Sequence, residues 1–230
     1  MYKAAIFDLD GLLIDSERAI RDAWLEVARR NHVALTEAEY LQVVGRNEAD
    51  SKLILGEIFR GKFSFEEARA GVEILLAEGD AARGYEVKPG AVALLTRLRA
   101  RAVPCGVASS TRKTEVRRRL ELSVLLSFFG AICGGDEVAN GKPSPDLFLL
   151  ASERLGIEPE DCLVFEDSEH GVIGAVAAGM SAVVVPDLKT PNAGVRASCV
   201  AVLASLDQAL PLCDAWFAAG DAASRSSSAD

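Results

Sequence analysis

The spacing of apolar residues divides the chain into three parts with different periodicities. The segment from Tyr2 to Phe7 is a short apolar run, the pattern of a strand buried on both faces. From Ser16 to residue 82, apolar residues recur at helical spacing, as at Ala19, Ala23 and Val27, and no segment has the pattern of a strand. We therefore predict one strand followed by a wholly helical segment.

Capping signals support helices in this segment. Ser16 stands where an N-cap would open the first helix. Thr36 and Ser64 are each followed three residues later by a glutamate, which is the capping-box pattern. The sequence Gly45-Arg46-Asn47 interrupts the apolar spacing, so we predict a break between helices there.

After Tyr85 the pattern changes to alternating strands and helices. The predicted strands are 103–108, 130–133, 162–165 and 181–185, and the predicted helices are 89–101, 111–120, 145–155 and 171–179, with a short last helix from Ser205. Nearly continuous apolar strands that alternate with helices are typical of a parallel sheet covered on both faces.

The predicted fold class is therefore α/β, a Rossmann-like doubly wound parallel sheet core with an all-helical cap domain inserted after the first strand. We place the core in residues 1–15 and 83–220 and the cap in residues 16–82. Residues 221–230, rich in alanine and serine, are predicted to be a disordered tail.

Composition narrows the classes of partner. Half of the 230 residues are hydrophobic, enough for a sizeable core, and the formal net charge is −9. A net negative chain is a poor partner for nucleic acid or an anionic membrane, so neither is expected. No apolar run reaches membrane-spanning length, and residues 1–10 hold acidic groups rather than the apolar run of a signal peptide.

The cysteines favour a reducing compartment. The chain has five, an odd number, widely scattered and without a C-x-x-C pair. We therefore expect buried free thiols rather than a zinc site or a disulfide framework, and a cytoplasmic protein.

Polar side chains follow the apolar strands at three places. Asp8 and Asp10 come directly after the first strand, and Gly11 lets the backbone turn there. Ser109 and Ser110 follow the second strand, and Glu166 and Asp167 end a later one. Taken alone, Asp8 and Asp10 are equally compatible with an ordinary acidic turn. Because ligands bind at the carboxyl ends of strands in such sheets, three polar strand ends favour a binding site.

Four motifs in register with these strands carry a family resemblance. They are Asp8-x-Asp10-Gly11, the strand ending in Ser109, Gly141-Lys142-Pro143, and Glu166-Asp167-Ser168. This set resembles the haloacid dehalogenase superfamily, over residues 3 to about 188. Within it, the chain is similar to the helical-cap subgroup that includes β-phosphoglucomutase and many small-molecule phosphatases.

The resemblance implies catalytic roles for four side chains. Asp8 would be the nucleophile that forms an aspartyl-phosphate, and Asp10 the general acid and then the base that activates water. Ser109 and Lys142 would bind the phosphoryl oxygens, with Lys142 stabilising the transition state. Ser110 would assist in substrate binding through the backbone after Ser109.

The resemblance also implies Mg²⁺ as the cofactor. The metal ligands would be the Asp8 carboxylate, the Asp10 backbone carbonyl and Asp167, with Glu166 as a ligand or a support for one. An all-oxygen site completed by water suits Mg²⁺.

Ordinary structural roles remain open for several of these residues. Ser109, Ser110 and the Glu166-Asp167-Ser168 turn are also typical helix caps, and Lys142 alone is typical of a solvated loop. The basic residues Arg112, Lys113, Arg117, Arg118 and Arg119 are interpreted as a solvated helix face.

The cap offers one substrate-binding hypothesis, Arg46, with a solvated loop arginine as the alternative. Where the mutase has a cap histidine this chain has Ile20, its cap loop reads Gly45-Arg46-Asn47 with different spacing, and residues 64–82 contain no lysine. These departures favour hydrolysis over transfer back to a sugar.

The resulting prediction is a Mg²⁺-dependent phosphatase, a phosphoric monoester hydrolase acting on a small phosphorylated metabolite, with sugar phosphates as the leading class. A phosphosugar mutase and a non-catalytic small-molecule binding module are the alternatives. The protein is expected to be a monomer or a weak homodimer.

Overall fold

The computed structural model describes residues 1–44, 48–79 and 84–217. In this part of the chain, six strands form one sheet in which all neighbouring strands are parallel. The strands are β1 (Ala4–Phe7), β2 (Cys105–Ser109), β3 (Ala131–Gly134), β4 (Cys162–Glu166), β5 (Ser181–Val184) and β6 (Ala201–Val202), in the spatial order β3-β2-β1-β4-β5-β6. The predicted parallel α/β core is confirmed. The two-residue β6 is too short to give a periodicity and was not predicted.

Helices alternate with the strands and cover the sheet. They are α5 (Ala91–Ala100), α6 (Lys113–Leu122), α7 (Asp146–Leu155), α8 (Glu169–Ala177), α9 (Ala193–Ala197) and α10 (Cys213–Trp216). The last predicted helix, from Ser205, begins as the 3₁₀ helix Leu206–Leu212 and continues into α10.

Alternating residues of the central strand supply two apolar clusters on opposite sides of the sheet. Ala5 and Phe7 of β1 belong to one cluster, and Ala4 and Ile6 to the other. Phe7 stacks on Phe165 of β4 with ring centroids 4.8 Å apart. The sheet is therefore buried on both faces, as the continuous apolar strands predict.

Between β1 and α5, the described residues form helices and no strand. These helices are α1 (Glu17–Arg30), α2 (Glu37–Tyr40), α3 (Glu48–Phe59) and α4 (Phe65–Glu78), named together the helical unit. Both predicted capping boxes, at Thr36 and Ser64, are present with reciprocal hydrogen bonds. The unit has an apolar cluster of its own, in which Trp24 stacks on Phe65 at 5.4 Å.

The division into a core and a cap at residues 16 and 82 stays a prediction, because residues 80–83 lie outside the described part of the chain, as do Arg46 and the predicted tail 221–230. The two connections near these boundaries run side by side. Asp15 donates its backbone N–H to Glu86 at 2.8 Å, and Lys88 donates to the carbonyl of Leu13 at 2.9 Å.

None of the helices in the described residues is long and apolar enough to cross a membrane. All five cysteines carry free thiols, and Cys105, Cys133, Cys162 and Cys213 are buried, as predicted.

The packing of α7 gives a matched test of the core. Leu147 is fully buried in that helix, whereas Leu149 is 40% exposed. We expect Leu147→Ala to lower the free energy of unfolding by about 2–5 kcal/mol, because it leaves a cavity that the close-packed sheet cannot refill. Leu149→Ala should change it by no more than about 0.5 kcal/mol. Denaturant unfolding of both variants measures the difference, and equal losses would contradict this packing.

Candidate active site

The carboxyl ends of β1, β2 and β4 open into one cavity of about 480 Å³. This edge of a parallel sheet is where the polar strand ends were predicted to meet. The cavity is lined by six of the sequence-predicted site residues, namely Asp8, Asp10, Ser109, Ser110, Lys142 and Asp167. Glu166 lies directly beneath them with no exposed surface, and Arg46 lies outside the described residues.

Lys142 joins two buried carboxylates. Its Nζ donates to Asp8 Oδ1 at 2.5 Å and to Glu166 Oε1. The Lys142 side chain is 6% exposed, and its ammonium also lies over the ring of Phe148, 5.1 Å from the centroid. Lys142 is therefore a buried cation of the site, and the alternative of a solvated loop lysine is wrong.

Glu166 is held by the amino end of α8. Its Oε2 accepts the backbone N–H groups of Asp167 and Ser168 and the Ser168 hydroxyl, at 3.0–3.2 Å. Ser168 also caps α8 by accepting the N–H of Gly171 at 3.1 Å. The capping role and the site role of this turn therefore coexist, since the same residues perform both.

Gly171 makes room for that carboxylate. A Cβ at this position would lie 1.9 Å from Cδ of Glu166, far inside contact distance. Glu166 can therefore lie over the first turn of α8 only because residue 171 has no side chain. With all its described contacts made to donors of the protein, Glu166 is arranged as a support for Lys142.

Asp167 approaches the turn after β1 from the opposite side. A Cβ at Gly11, where φ is +85°, would lie 2.5 Å from Asp167 Oδ2. Glycine at this position therefore serves both the left-handed backbone and the close approach. Within the described residues, the Asp167 carboxylate accepts no hydrogen bond, although it lines the cavity.

The Asp10 carboxylate has four donors. Ser16 donates to Oδ1 at 2.6 Å, and Arg119 Nη1 contacts the same oxygen. Thr111 donates to Oδ2 at 2.9 Å, and Ser109 Oγ lies 3.4 Å from it. Ser16 occupies the N-cap position of α1, as predicted, but its side chain makes no capping bond, because its hydroxyl donates to Asp10.

Arg119 corrects the interpretation of the basic run. The Arg119 side chain is only 11% exposed and pairs with Asp10 and Glu115, whereas Lys113, Arg117 and Arg118 are 41–61% exposed. The sequence could not distinguish Arg119 from its basic neighbours, because the packing of the helix against the sheet decides which of these side chains is buried. Glu17, which also lines the cavity, was likewise not predicted as a site residue.

The site carries more buried negative charge than its lysine offsets. Burial raises the pKa of Asp8 to about 8, against the charge of Lys142 and with the nearby Glu166 and Asp10 adding to the rise. Burial also raises the pKa of Asp167 well above its usual value, with Glu166 and Asp8 contributing.

Asp10 has the opposite electrostatic environment. Burial acts to raise its pKa, but the charge of Arg119 and the hydrogen bonds from Ser16, Thr111 and Arg119 outweigh burial and hold that pKa below its usual value. The two aspartates of one motif are thus distinguished by their cations, Lys142 for Asp8 and Arg119 for Asp10.

The helical unit closes the cavity with a mainly apolar wall. Ile20 and Val44 are half-buried there, beside the more deeply buried Val43. Glu17 adds one carboxyl group, and burial raises its pKa to about 7, with Asp10 and Asp187 contributing. The polar floor of the cavity and its mainly apolar wall therefore come from different parts of the chain.

The family model for haloacid dehalogenase-like hydrolases matches residues 2–179 of this chain. The chain belongs to this family. The predicted family is confirmed, and with it the prediction of an enzyme that hydrolyses phosphoric monoesters.

Relatives of this hydrolase agree with that assignment. It is 38% identical over 192 residues to a probable pseudouridine-5'-phosphatase of Drosophila melanogaster, covering 79% of this chain and 80% of that one. It is 33% identical over 211 residues to a phosphorylated carbohydrates phosphatase of Thermotoga maritima, covering 87% and 94%. The structure of a putative β-phosphoglucomutase from Thermotoga maritima superposes with a TM-score of 0.75 at 31% identity, covering 91% and 97%.

Gly171 gives a test of this geometry. We expect Gly171→Ala to destabilise the fold by about 1–3 kcal/mol, because the new methyl group must displace the buried Glu166 carboxylate. It should also reduce activity, since Glu166 supports Lys142. Gly56→Ala is the matched control, because Gly56 lies in α3 with no atom within 4 Å of the added Cβ. That variant should be about 0.5–1 kcal/mol more stable than the parent. Thermal or denaturant unfolding measures both, and an unaltered Gly171→Ala protein would refute the contact.

Proposed function

We propose that this hydrolase is a Mg²⁺-dependent phosphatase that removes the phosphoryl group from a small phosphomonoester, with sugar phosphates as the leading class, through an aspartyl-phosphate intermediate. The observation that carries the proposal is that three strand ends and the Lys142 loop supply Asp8, Asp10, Ser109, Lys142 and Asp167 to one cavity. The names of relatives that act on phosphorylated carbohydrates and on a nucleoside phosphate support the substrate class.

In the first step, an Asp8 carboxylate oxygen attacks phosphorus and the ester P–O bond breaks. Asp10 donates a proton to the departing ester oxygen. In the second step, Asp10 takes a proton from water as that water attacks the phosphorus of the aspartyl-phosphate, which releases inorganic phosphate and regenerates Asp8.

Lys142 and Ser109 would bind the phosphoryl oxygens. Lys142 already contacts Asp8, so an oxygen of a phosphoryl group beside Asp8 would lie within reach of its ammonium. Ser109 is 1% exposed, and its Oγ accepts the backbone N–H of Thr111 at 3.1 Å. Its hydroxyl is therefore held at the end of β2, where Ser110 also lines the cavity.

The residues of the cavity fit Mg²⁺. Asp8 and Asp167 offer carboxylate oxygens. Burial raises the pKa of both, with nearby carboxylates adding to the rise, and a bound cation would favour their ionised forms. Among the described residues, no three His, Cys, Asp or Glu side chains converge closely enough to enclose a metal. Mg²⁺ is often held by one or two carboxylates, with water and substrate phosphate supplying the other ligands. When bound, the metal would neutralise charge and polarise the phosphoryl group.

In this proposal, the Glu166 and Asp10 side chains do not coordinate the metal directly. The contacts of the Glu166 carboxylate favour support of Lys142 over direct coordination. The Asp10 side chain is committed to Ser16, Thr111 and Arg119, so its proposed ligand remains the backbone carbonyl.

A phosphosugar mutase is the second candidate, favoured by the structural likeness to a putative β-phosphoglucomutase. Ile20, at the position that the resemblance assigns to the mutase's cap histidine, lines the cavity here and offers no hydrogen bond. Phosphate release from hexose phosphates, with and without a bisphosphate activator, separates the two activities. A non-catalytic binding module is the weakest alternative, because it gives no reason to bury Lys142 between two carboxylates.

The nucleophile is tested by Asp8→Asn. We expect this variant to fold normally and to lose measurable hydrolysis of 4-nitrophenyl phosphate, because an amide cannot form the phosphoenzyme. Asp214→Asn is the control, since that carboxylate is 61% exposed on α10 and pairs with Arg97 and Arg101, which do not line the cavity. Phosphate release measures both, and unchanged turnover of Asp8→Asn would refute the mechanism.

The cofactor is tested by Mg²⁺ binding and by chelation. We expect a chelator to abolish phosphate release and Mg²⁺ to restore it. Asp167→Asn should weaken Mg²⁺ affinity by more than the roughly 10- to 100-fold that loss of an outer supporting residue costs. Isothermal titration measures the affinity, and full activity in excess chelator would contradict a metal requirement. A panel of phosphorylated metabolites assayed with Mg²⁺ would then identify the substrate.

A further inference from the structure

Arg119 is the one residue of the basic run on α6 that the proposed mechanism does not use although it touches the site. Its side chain is 11% exposed, and its Nη1 contacts Oδ1 of Asp10. Arg117, two residues earlier, is 61% exposed and pairs with Glu121 on the same helix. Arg119 therefore differs from Arg117, because its side chain turns toward the site and not toward solvent.

Two further contacts fix the orientation of the Arg119 guanidinium. Its Nε donates to Glu115, one helical turn earlier, at 2.9 Å. Its central carbon also lies over the ring of Tyr85, 5.2 Å from the centroid. Because Nε and Nη1 belong to one rigid plane, the bond to Glu115 determines where Nη1 meets Asp10.

The donors around Asp10 are divided between its two oxygens. Arg119 and Ser16 both bond Oδ1, while Thr111 bonds Oδ2 at 2.9 Å and Ser109 lies 3.4 Å from it. Ser109 and Thr111 stand at the end of β2, where the phosphoryl group is proposed to bind. Oδ1 therefore carries the charged contact to Arg119, and Oδ2, which faces the two hydroxyls at the end of β2, is the oxygen on the phosphate side of the carboxylate.

We propose that Arg119 is a positioning residue for Asp10, which anchors Oδ1 so that Oδ2 exchanges the proton with the substrate. This inference rests on the proposed function. In the first step, a proton moves from Oδ2 to the ester oxygen as the P–O bond breaks. In the second, Oδ2 takes a proton from the attacking water as the bond between phosphorus and Asp8 breaks.

Two substrates of nearly equal size separate positioning of the acid from general damage. The phenolate of phenyl phosphate needs a proton as it leaves, whereas 4-nitrophenolate leaves without one. For a phosphoenzyme mechanism, kcat/KM reports the step in which the leaving group departs. A variant that misplaces the acid should therefore lose kcat/KM selectively on phenyl phosphate.

We expect Arg119→Ala to lower kcat/KM for phenyl phosphate by roughly 10- to 100-fold, and for 4-nitrophenyl phosphate by about a tenth as much or less. Arg119→Lys should recover part of the loss on phenyl phosphate, because an ammonium keeps the charge but cannot hold Asp10 and Glu115 in one plane. Arg117→Ala should leave both values unchanged. An equal loss on both substrates, or no loss on either, would overturn the proposal.

Glu115→Ala keeps the test decisive if Arg119→Ala does not fold. It leaves Arg119 in place but removes the Nε contact, so we expect a smaller loss of kcat/KM with the same preference for phenyl phosphate. Thermal unfolding of each variant shows that the protein remains folded. An equal loss on both substrates in Glu115→Ala and Arg119→Lys would overturn the role of Arg119.

Asp10→Asn distinguishes failure of this inference from failure of the proposed function. If its loss is selective for phenyl phosphate and that of Arg119→Ala is not, only the positioning role is wrong. If Asp10→Asn shows no selectivity, Asp10 is not the general acid, and the inference falls with that part of the mechanism.

Discussion

The structure of the site depends on keeping several carboxylates together at a buried edge of a parallel sheet. Asp8, Asp10 and Glu166 are all largely removed from water. Buried carboxylates are costly unless each is paired or hydrogen-bonded. Lys142 between Asp8 and Glu166, Arg119 on Oδ1 of Asp10, and the first turn of α8 beneath Glu166 meet that requirement in part. Asp167 accepts no hydrogen bond among the described residues, and burial raises its pKa; the Mg²⁺ of the proposed function would offset its charge.

That requirement also explains which parts of the site the sequence could predict. The positions of Asp8, Ser109 and Asp167 follow from where apolar runs end, since parallel strands bring their carboxyl ends to one edge. Arg119 and Ser16 could not be placed in this way. Whether a helical arginine turns to solvent or to a carboxylate depends on how the helix is rotated against the sheet, and local spacing does not contain that information. The capping boxes at Thr36 and Ser64 were predictable because their hydrogen bonds are local in sequence. Ser16 occupies the N-cap position of α1, but its hydroxyl bonds Asp10, a tertiary contact that local spacing does not reveal.

Two aspartates one residue apart acquire different chemistry through the cations that reach them from other elements. Lys142 arrives from the loop before α7 and Arg119 from α6. A lysine presents a compact point charge that can contact Asp8 and a phosphoryl oxygen together, whereas the planar guanidinium holds one orientation. Lysine therefore suits a position where one cation serves Asp8 and a phosphoryl oxygen, and arginine suits the fixed orientation of Asp10.

In the proposed function, one wall of the cavity carries the phosphoryl-transfer residues and the other wall contacts the rest of the substrate. In the proposed mechanism, every residue that touches phosphorus or its oxygens belongs to the predicted core, either at a strand end or on the loop that carries Lys142. The described wall from the helical unit is mainly apolar, with Ile20, Val43 and Val44 facing the same space as Asp10 and Asp167. An apolar wall contributes little hydrogen bonding to a leaving group, but it excludes water from buried charges and so strengthens their interactions. By excluding water from the site, the helical unit would therefore influence the reaction rate as well as the choice of substrate.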